Sequence, residues 1–389
     1  MKKIKLEELK AGYSYTKPIY LDEDTVFINA NTAITDNDLN KLKKFGVSEV
    51  LTNGEISQSR IPEIKNTPVV KLKSGSVPEE HRHFLEIFEE INQQKARFSE
   101  LYNKSQDLIR DIYTNIANDK PVEINIVRTH VENLVDHFKT NHNFSYLLLN
   151  MPVSGYYLYI QVTFSLYYSL LIGQILEMSR PKLIELGIAA FFADIGMTKI
   201  PSAISEKTSK LSDDELKIFI KHPLVGYQIL TQKVKMKTSL AAVCLQHHEN
   251  FIGTGYPQKI SGNNIEEFSR IYTIADNFSA LINNRPWRKK SLPYEVMKSM
   301  ISTDVNKFDL SIIKKFLSSL SMYPVGSAAQ LSDNRIGLVL LSNTDKPLRP
   351  VLRIILDESG APLNSAVFVD LSREPQIFIT KALDSHKYI

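Results

Sequence analysis

Cysteine is almost missing from this sequence. The single residue, Cys244, excludes an internal disulfide and any zinc module built on several thiolates. Charge of one sign is not in excess either. Forty-seven Lys and Arg against 43 Asp and Glu leave a net charge of +4 over 389 residues. The basic residues are scattered, so composition gives no argument for nucleic-acid binding and none is expected; a mild positive balance suits an anionic small ligand equally well. The N-terminus, MKKIKLEELKAGYSYTKPIY, has a basic start but no apolar stretch after it. No signal peptide is therefore expected, and with the lone cysteine the expectation is a cytoplasmic protein. Long apolar runs are lacking with one exception. No Asp, Glu, Lys or Arg occurs from Thr140 to Leu176, and Gly155 to Leu176 is long enough to span a bilayer. Gln161, Thr163, Ser165, Ser169 and Gln174 interrupt that stretch, and its tyrosines lie in mid-segment rather than at the ends. A buried helix is expected there, not a membrane span. Its uncharged, tyrosine-rich character also makes it a candidate homodimer contact. No internal repeat is present.

What is there divides into three parts. Residues 1–58 read as a small α+β unit, with short β-like runs (Ser14 to Tyr20, Thr25 to Ile28, Glu49 to Leu51) around a helical stretch, Asp36 to Phe45, closed by Gly46. A Ser-, Pro-, Lys- and Asn-rich linker follows over 59–78. Residues 79–325 carry helical periodicity, clearest in His83 to Ile116, Ile124 to Thr140, Lys182 to Ala193 and Asp213 to Thr231, with Ser212 as an N-cap. Residues 326–389 turn β-rich: Ala328 to Leu331, Arg335 to Leu341, Val351 to Leu356 and Ser365 to Val369 are separated by Asn, Asp, Gly and Pro. The expected class is mainly α, a helical bundle with a small α+β domain before it and a small β-rich domain after it.

Histidine and aspartate carry the chemical information. Asp194 lies in FFADIGMTKIP, His222 in KHPLVG, His247 and His248 in QHHENFIGTGYP, and Asp276 in IYTIADNFSAL. Neutral imidazoles and carboxylates suit iron, manganese or zinc, and an ion would tie together helices distant in sequence. Spacing alone leaves this open against ordinary histidines without metal. Cys244, one helical turn before His247, is expected as a small buried apolar residue.

HHENFIGTGYP resembles the HHE-x-x-D-G-x-G-Y-P signature of the HD-GYP family of bacterial cyclic di-GMP phosphodiesterases. ADIG stands where that family carries HD-I-G-K. LSDDELKIFIKHPLVG is similar to its L-T-x-x-E…H-P-x-x-G, and IYTIADNFSALINNRPWRKK to its I-x-A-D-x-x-D-A-L-x-x-x-R-P-Y-R. The likeness runs from about Phe84 to Phe316. The N-terminal unit and YPVGSAAQLSDNRIGLVLLSN resemble the small domains that flank such proteins. The resemblance implies an HD-domain helical bundle acting on or sensing cyclic di-GMP.

Departures from the family pattern fall mostly on metal and catalytic positions. The first-helix His corresponds to Gln161, a third-metal carboxylate to Tyr157, the His of HD to Ala193 and the motif Lys to Met197. The Asp of D-G-x-G-Y-P corresponds to Ile252, the residue after HHE to Asn250, and the second Asp of D-x-x-D-A to Ser279. Of the ligands to one family ion only Asp194 and Asp276 remain, whereas all four to another remain as Asp194, His222, His247 and His248. At most one first-row ion (Fe, Mn or Zn) is therefore expected, with no confident catalytic residue. By the same resemblance Tyr256, Arg285 and Arg288 face the nucleotide; against this, the two arginines also read as a solvated basic turn, and Gly253, Gly255 and Pro257 as residues that hold a loop shape. Trp287 is expected to pack. The leading expectation is a degenerate, non-hydrolytic signalling protein that binds cyclic di-GMP or a partner of the diguanylate-cyclase type. The alternatives are an active metal-dependent phosphodiesterase and a purely structural scaffold.

Overall fold

Alternating and helical periodicities segregate along the chain into the three expected kinds of structure. The computed structural model describes residues 1–9, 13–17, 19–21, 26–28, 34, 39, 42, 47, 49–57, 82–140, 144–149, 151, 155–285, 287–302, 305–320, 323, 325–343, 345–346 and 348–388. The linker at 59–78 lies outside them, as does most of the helix expected at Asp36 to Phe45 with its Gly46 cap.

The first compact unit contains β1 (Lys2–Lys5), β2 (Ser14–Tyr15), β3 (Ile19–Tyr20), β4 (Val26–Ile28), β5 (Glu49–Thr52) and β6 (Ile56–Ser57). One sheet has the order β1-β5-β3-β4, and β2 pairs with β6. Ile4, Ile19, Ile28 and Val50 form its core, with Leu42, which is helical, packed among them.

The second compact unit opens with a long helix, α1 (Arg82–Ala117), followed by α2 (Ile124–Thr140), α3 (Phe144–Leu149), α4 (Tyr157–Ile175) and α5 (Arg180–Phe191). After α6 (Ser202–Ser205) come α7 (Asp213–Phe219), α8 (His222–Gln228), α9 (Thr238–Gln246), α10 (Glu267–Ile282), α11 (Pro293–Ser302) and α12 (Leu310–Leu320). The uncharged stretch is α4. Apolar all round, it lies in the middle of the domain against α10, α5 and α1, as a helix without a polar face must. It is long and apolar enough to cross a membrane, yet 78% of it is buried inside the domain. Tyr167 and Tyr168, from the segment expected to offer a dimer contact, are fully buried: Tyr167 bonds Ser105 and Tyr168 packs edge-on against Phe278 and Phe316.

The helical periodicity at 213–231 does not make one helix. Ser212 caps α7 with a full capping box to Glu215. The helix then stops before His222, because Pro223 has no N–H to donate to the Phe219 carbonyl and its ring would press on that oxygen.

The C-terminal strands β7 (Ala328–Leu331), β8 (Ile336–Leu341), β9 (Val351–Leu356), β10 (Pro362–Asp370) and β11 (Ile379–Leu383) form an antiparallel sheet in the order β10-β9-β8-β7-β11. It packs on the start of α1 through Phe368 against Phe84 and Arg353 over the Phe88 ring.

Candidate metal centre

Four side chains converge where α5, α8 and α9 meet. Asp194 stands at the turn after α5, His222 opens α8, and His247 and His248 close α9. Their nearest ligand atoms all lie within 4.8 Å of one another. His222 Nε2 is 3.3 Å from His247 Nε2 and 3.2 Å from His248 Nε2. Asp194 Oδ1 is 3.7 Å from the first and 3.6 Å from the second.

The backbone decides which nitrogen of each ring faces inward. Pro223 leaves the Phe219 carbonyl without its helical partner, and His222 Nδ1 takes it at 2.8 Å. His247 lies just past the last turn of α9, where carbonyls are unpaired, and its Nδ1 bonds the Cys244 carbonyl at 2.8 Å. A carbonyl only accepts, so both Nδ1 atoms carry a proton; the Nε2 of His222 presents a lone pair to the centre, and that of His247 does so when a cation takes the place of the proton it shares with Asp194. Two lone pairs 3.3 Å apart repel unless a cation or proton lies between them. Ligands roughly 2.0–2.1 Å from a tetrahedral ion stand roughly 3.3–3.4 Å apart. The donor set therefore fits a first-row metal ion.

Electrostatics agree with that fit. Burial lowers the His222 pKa to about 4 and pushes His248 well below the usual imidazole range, with their neighbouring histidines acting in the same direction. Both are therefore neutral, which is the ligating form, whereas in His247 burial is outweighed by the hydrogen bond and charge of Asp194, which raise its pKa, so that an ion here displaces a proton. Burial acts to raise the Asp194 carboxyl, but the hydrogen bond and charge of His247, with His222 and His248, outweigh it and hold the group ionised. Tyr272 donates to Asp194 Oδ2 at 3.1 Å and fixes its second oxygen.

Close backbone packing sets these positions. A Cβ on Gly196 would overlap the His222 carbonyl oxygen, and one on Gly226 would overlap Cys244 Sγ. Glycine at both points lets the turn after Asp194 lie directly on α8. Cys244 is fully buried, in keeping with a small packing residue.

Asp276 is not part of the four-residue group. Its Oδ1 accepts from Gln161 Nε2 at 2.6 Å and Ser165 Oγ at 3.1 Å. An amide N–H thus uses the carboxylate lone pair that a second ion would need. Ala193 is fully buried and offers only a methyl group. Met197 is buried and lines a cavity of about 500 Å³ beside Arg110 and Tyr159. Ile252 is 55% exposed on the loop after α9.

The remaining sequence candidates take distinct positions. Tyr256 stacks on His248 at 4.7 Å between ring centroids, and its N–H bonds the His248 carbonyl. Trp287 packs edge-on against Tyr157 at 5.3 Å and under Arg285 at 5.7 Å. Arg285 Nε is buried with no hydrogen-bond partner among the described residues. Arg288 turns the other way and donates to the Ala280 and Leu281 carbonyls at the end of α10, a C-terminal cap. Sequence reasoning missed Glu249 and Tyr272. Buried Glu249 accepts the N–H groups of Gln258 and Lys259 and so holds the loop that carries Tyr256. Tyr272 lies four residues before Asp276, one turn along the same face of α10, and that spacing was the available signal.

Residues 121–312 match the family model described as HD domain, and residues 329–389 match that of a KOW domain associated with HD domain. The chain is 29% identical over 230 residues to a cyclic di-GMP phosphodiesterase of Pseudomonas aeruginosa, covering 59% of this chain and 55% of that protein. It is 30% identical over 185 residues to the cyclic di-GMP phosphodiesterase PdeB of Borreliella burgdorferi, covering 48% of each. The chain thus spans about half the length of the curated relatives it matches. Among solved structures, an HDG"Y"P protein from Bdellovibrio bacteriovorus aligns over 81% of this chain and 97% of that one, with a TM-score of 0.49 at 15% identity.

Proposed function

We propose that this chain, whose residues 121–312 belong to the HD domain family, binds a cyclic dinucleotide of the cyclic di-GMP kind and does not hydrolyse it efficiently. The observation that carries the reading is the asymmetry of the site. Asp194, His222, His247 and His248 keep a complete ligand set with its outer hydrogen bonds, whereas Asp276 is held by Gln161 and position 193 offers only a buried methyl group. These four residues would hold one ion, and a bound first-row metal supplies Lewis-acid charge to a phosphate oxygen. Tyr256 and Arg285 lie close to the centre and suit the rest of an anionic, ring-bearing ligand. Asp194, His222 and His247 are nearly inaccessible, and His248 is half-buried; a single ion held by these residues lacks the second ion that would share an attacking water with it. Arg288 is assigned to the end of α10 and not to the nucleotide.

A second reading is favoured by the activity of the relatives, which are cyclic di-GMP phosphodiesterases: a working enzyme with one ion and water in place of the missing ligands. One preparation purified without chelator separates the two. Elemental analysis is expected to give one ion per chain, and calorimetry to show cyclic di-GMP binding, with no linear product after prolonged incubation. Two ions per chain together with steady product formation establishes the enzyme and removes the binding-only reading. Arg285→Ala is expected to weaken binding by about 1.5–3 kcal/mol, the usual size of a charge-assisted contact.

A further inference from the structure

A cavity of about 670 Å³ lies between the helical domain and the C-terminal β strands. That is within the size of small-molecule sites, roughly 300–1,000 Å³. Tyr156 and Tyr157 at the start of α4 and Leu292 before α11 contribute aromatic and apolar lining; Arg285, Lys290, Asp384 and Glu206 give it charge. Lys290 and Asp384 form an ion pair of 2.7 Å in which the side chains are only 22% and 29% exposed. One partner belongs to the helical domain and the other follows β11, so the pair bridges the two where they enclose the cavity. Arg285 lines the wall of this cavity, its buried Nε has no hydrogen-bond partner among the described residues, and it stands over the Trp287 ring.

We infer that this cavity takes one guanine-bearing half of a cyclic dinucleotide, and that Asp384 and Lys290 read the base. The inference rests on the binding function proposed above and names the specificity of that site. The edge of guanine presents two adjacent N–H donors beside a carbonyl acceptor. A carboxylate accepts from both donors and an ammonium donates to the carbonyl, so the two members of the ion pair match the edge group for group. Admitting the base exchanges the contact between Lys290 and Asp384 for contacts to the base. Adenine presents a ring-nitrogen lone pair where guanine presents an N–H, and a carboxylate repels it. The tyrosine faces offer stacking that any base can use, leaving discrimination to the charged pair. Arg285, at the junction, suits the phosphate that joins the two halves.

Calorimetric titration of the full manganese-loaded chain with cyclic di-GMP and cyclic di-AMP tests this. The unaltered protein is expected to prefer the guanine ligand by tenfold or more. Asp384→Asn and Lys290→Gln should each bring the two affinities within about threefold, with metal content unchanged. Leu292→Trp, which pushes a larger ring into the cavity, should weaken both ligands by tenfold or more. Tight cyclic di-GMP binding that needs Arg285 but is unaltered by Asp384→Asn, Lys290→Gln and Leu292→Trp overturns the inference and leaves the binding function standing. Failure of the unaltered protein to bind either dinucleotide overturns both.

Discussion

Gln161 holds Asp276 with an amide where an imidazole would leave the carboxylate free to ligate. On the proposed reading, Gln161 and Ala193 together separate a one-ion from a two-ion centre. The double substitution Gln161→His with Ala193→His is expected to raise metal content from one ion to two and to introduce measurable hydrolysis of cyclic di-GMP. Stability should fall by about 1–3 kcal/mol, since position 193 is fully buried and a larger ring must be accommodated. A second residue of interest is outside the site. His130 is buried, its Nε2 2.7 Å from Ser105 Oγ, and burial lowers its pKa to about 4 from 6.5. The unfolded chain therefore takes up a proton at this position before the folded one does. Its contribution is undiminished above pH 6.5 and is lost as the pH falls through about 4, amounting to roughly 3 kcal/mol. Urea unfolding at pH 7 and pH 4.5 should show a clearly smaller acid loss in His130→Gln than in the unaltered protein.

At the scale of elements, the break between α7 and α8 is part of the site. Pro223 frees the Phe219 carbonyl, and that carbonyl fixes the His222 tautomer. In Pro223→Ala a backbone N–H competes for the same oxygen, and metal affinity is expected to drop about 10–100-fold, the usual cost of losing an outer hydrogen bond to a ligand. Competition with a metal-sensitive dye measures it; unchanged affinity removes the proline from the argument. Gly196→Ala acts on the neighbouring element. Its methyl group meets the His222 carbonyl, so the turn carrying Asp194 must lift off α8, and both metal content and Tm should fall.

For the whole molecule, the ion would join α5, α8 and α9 at one point in the second compact unit. An ion at about 100 times its dissociation constant stabilises the folded state by about 2.7 kcal/mol. Calorimetric scans before and after chelation should therefore differ by roughly 5–10 °C in the transition of that unit. The transition of the first compact unit, residues 1–71 with 387–389, should stay in place. Movement of both transitions together would show that the centre is not confined to the second unit.

The sequence by itself determined the order of the structural classes, because the 2-residue and 3.6-residue periodicities are local. It also marked the site's chemistry: Asp194, His222, His247 and His248 stand in short motifs whose letters are visible without a structure. It did not reveal that 213–231 is two helices with a purpose, although Pro223 was legible as a breaker, because the use of the freed carbonyl depends on the His222 rotamer. Arg285 and Arg288 look equivalent in R-P-W-R, yet one lines a cavity over Trp287 and the other caps the end of α10, since only the packed turn decides which carbonyls lie within reach. The Tyr272–Asp194 and Lys290–Asp384 contacts became visible for the same reason. Their partners are up to 94 residues away along the chain, and contacts at that separation are set by how the helices and the sheet pack, which no local pattern encodes.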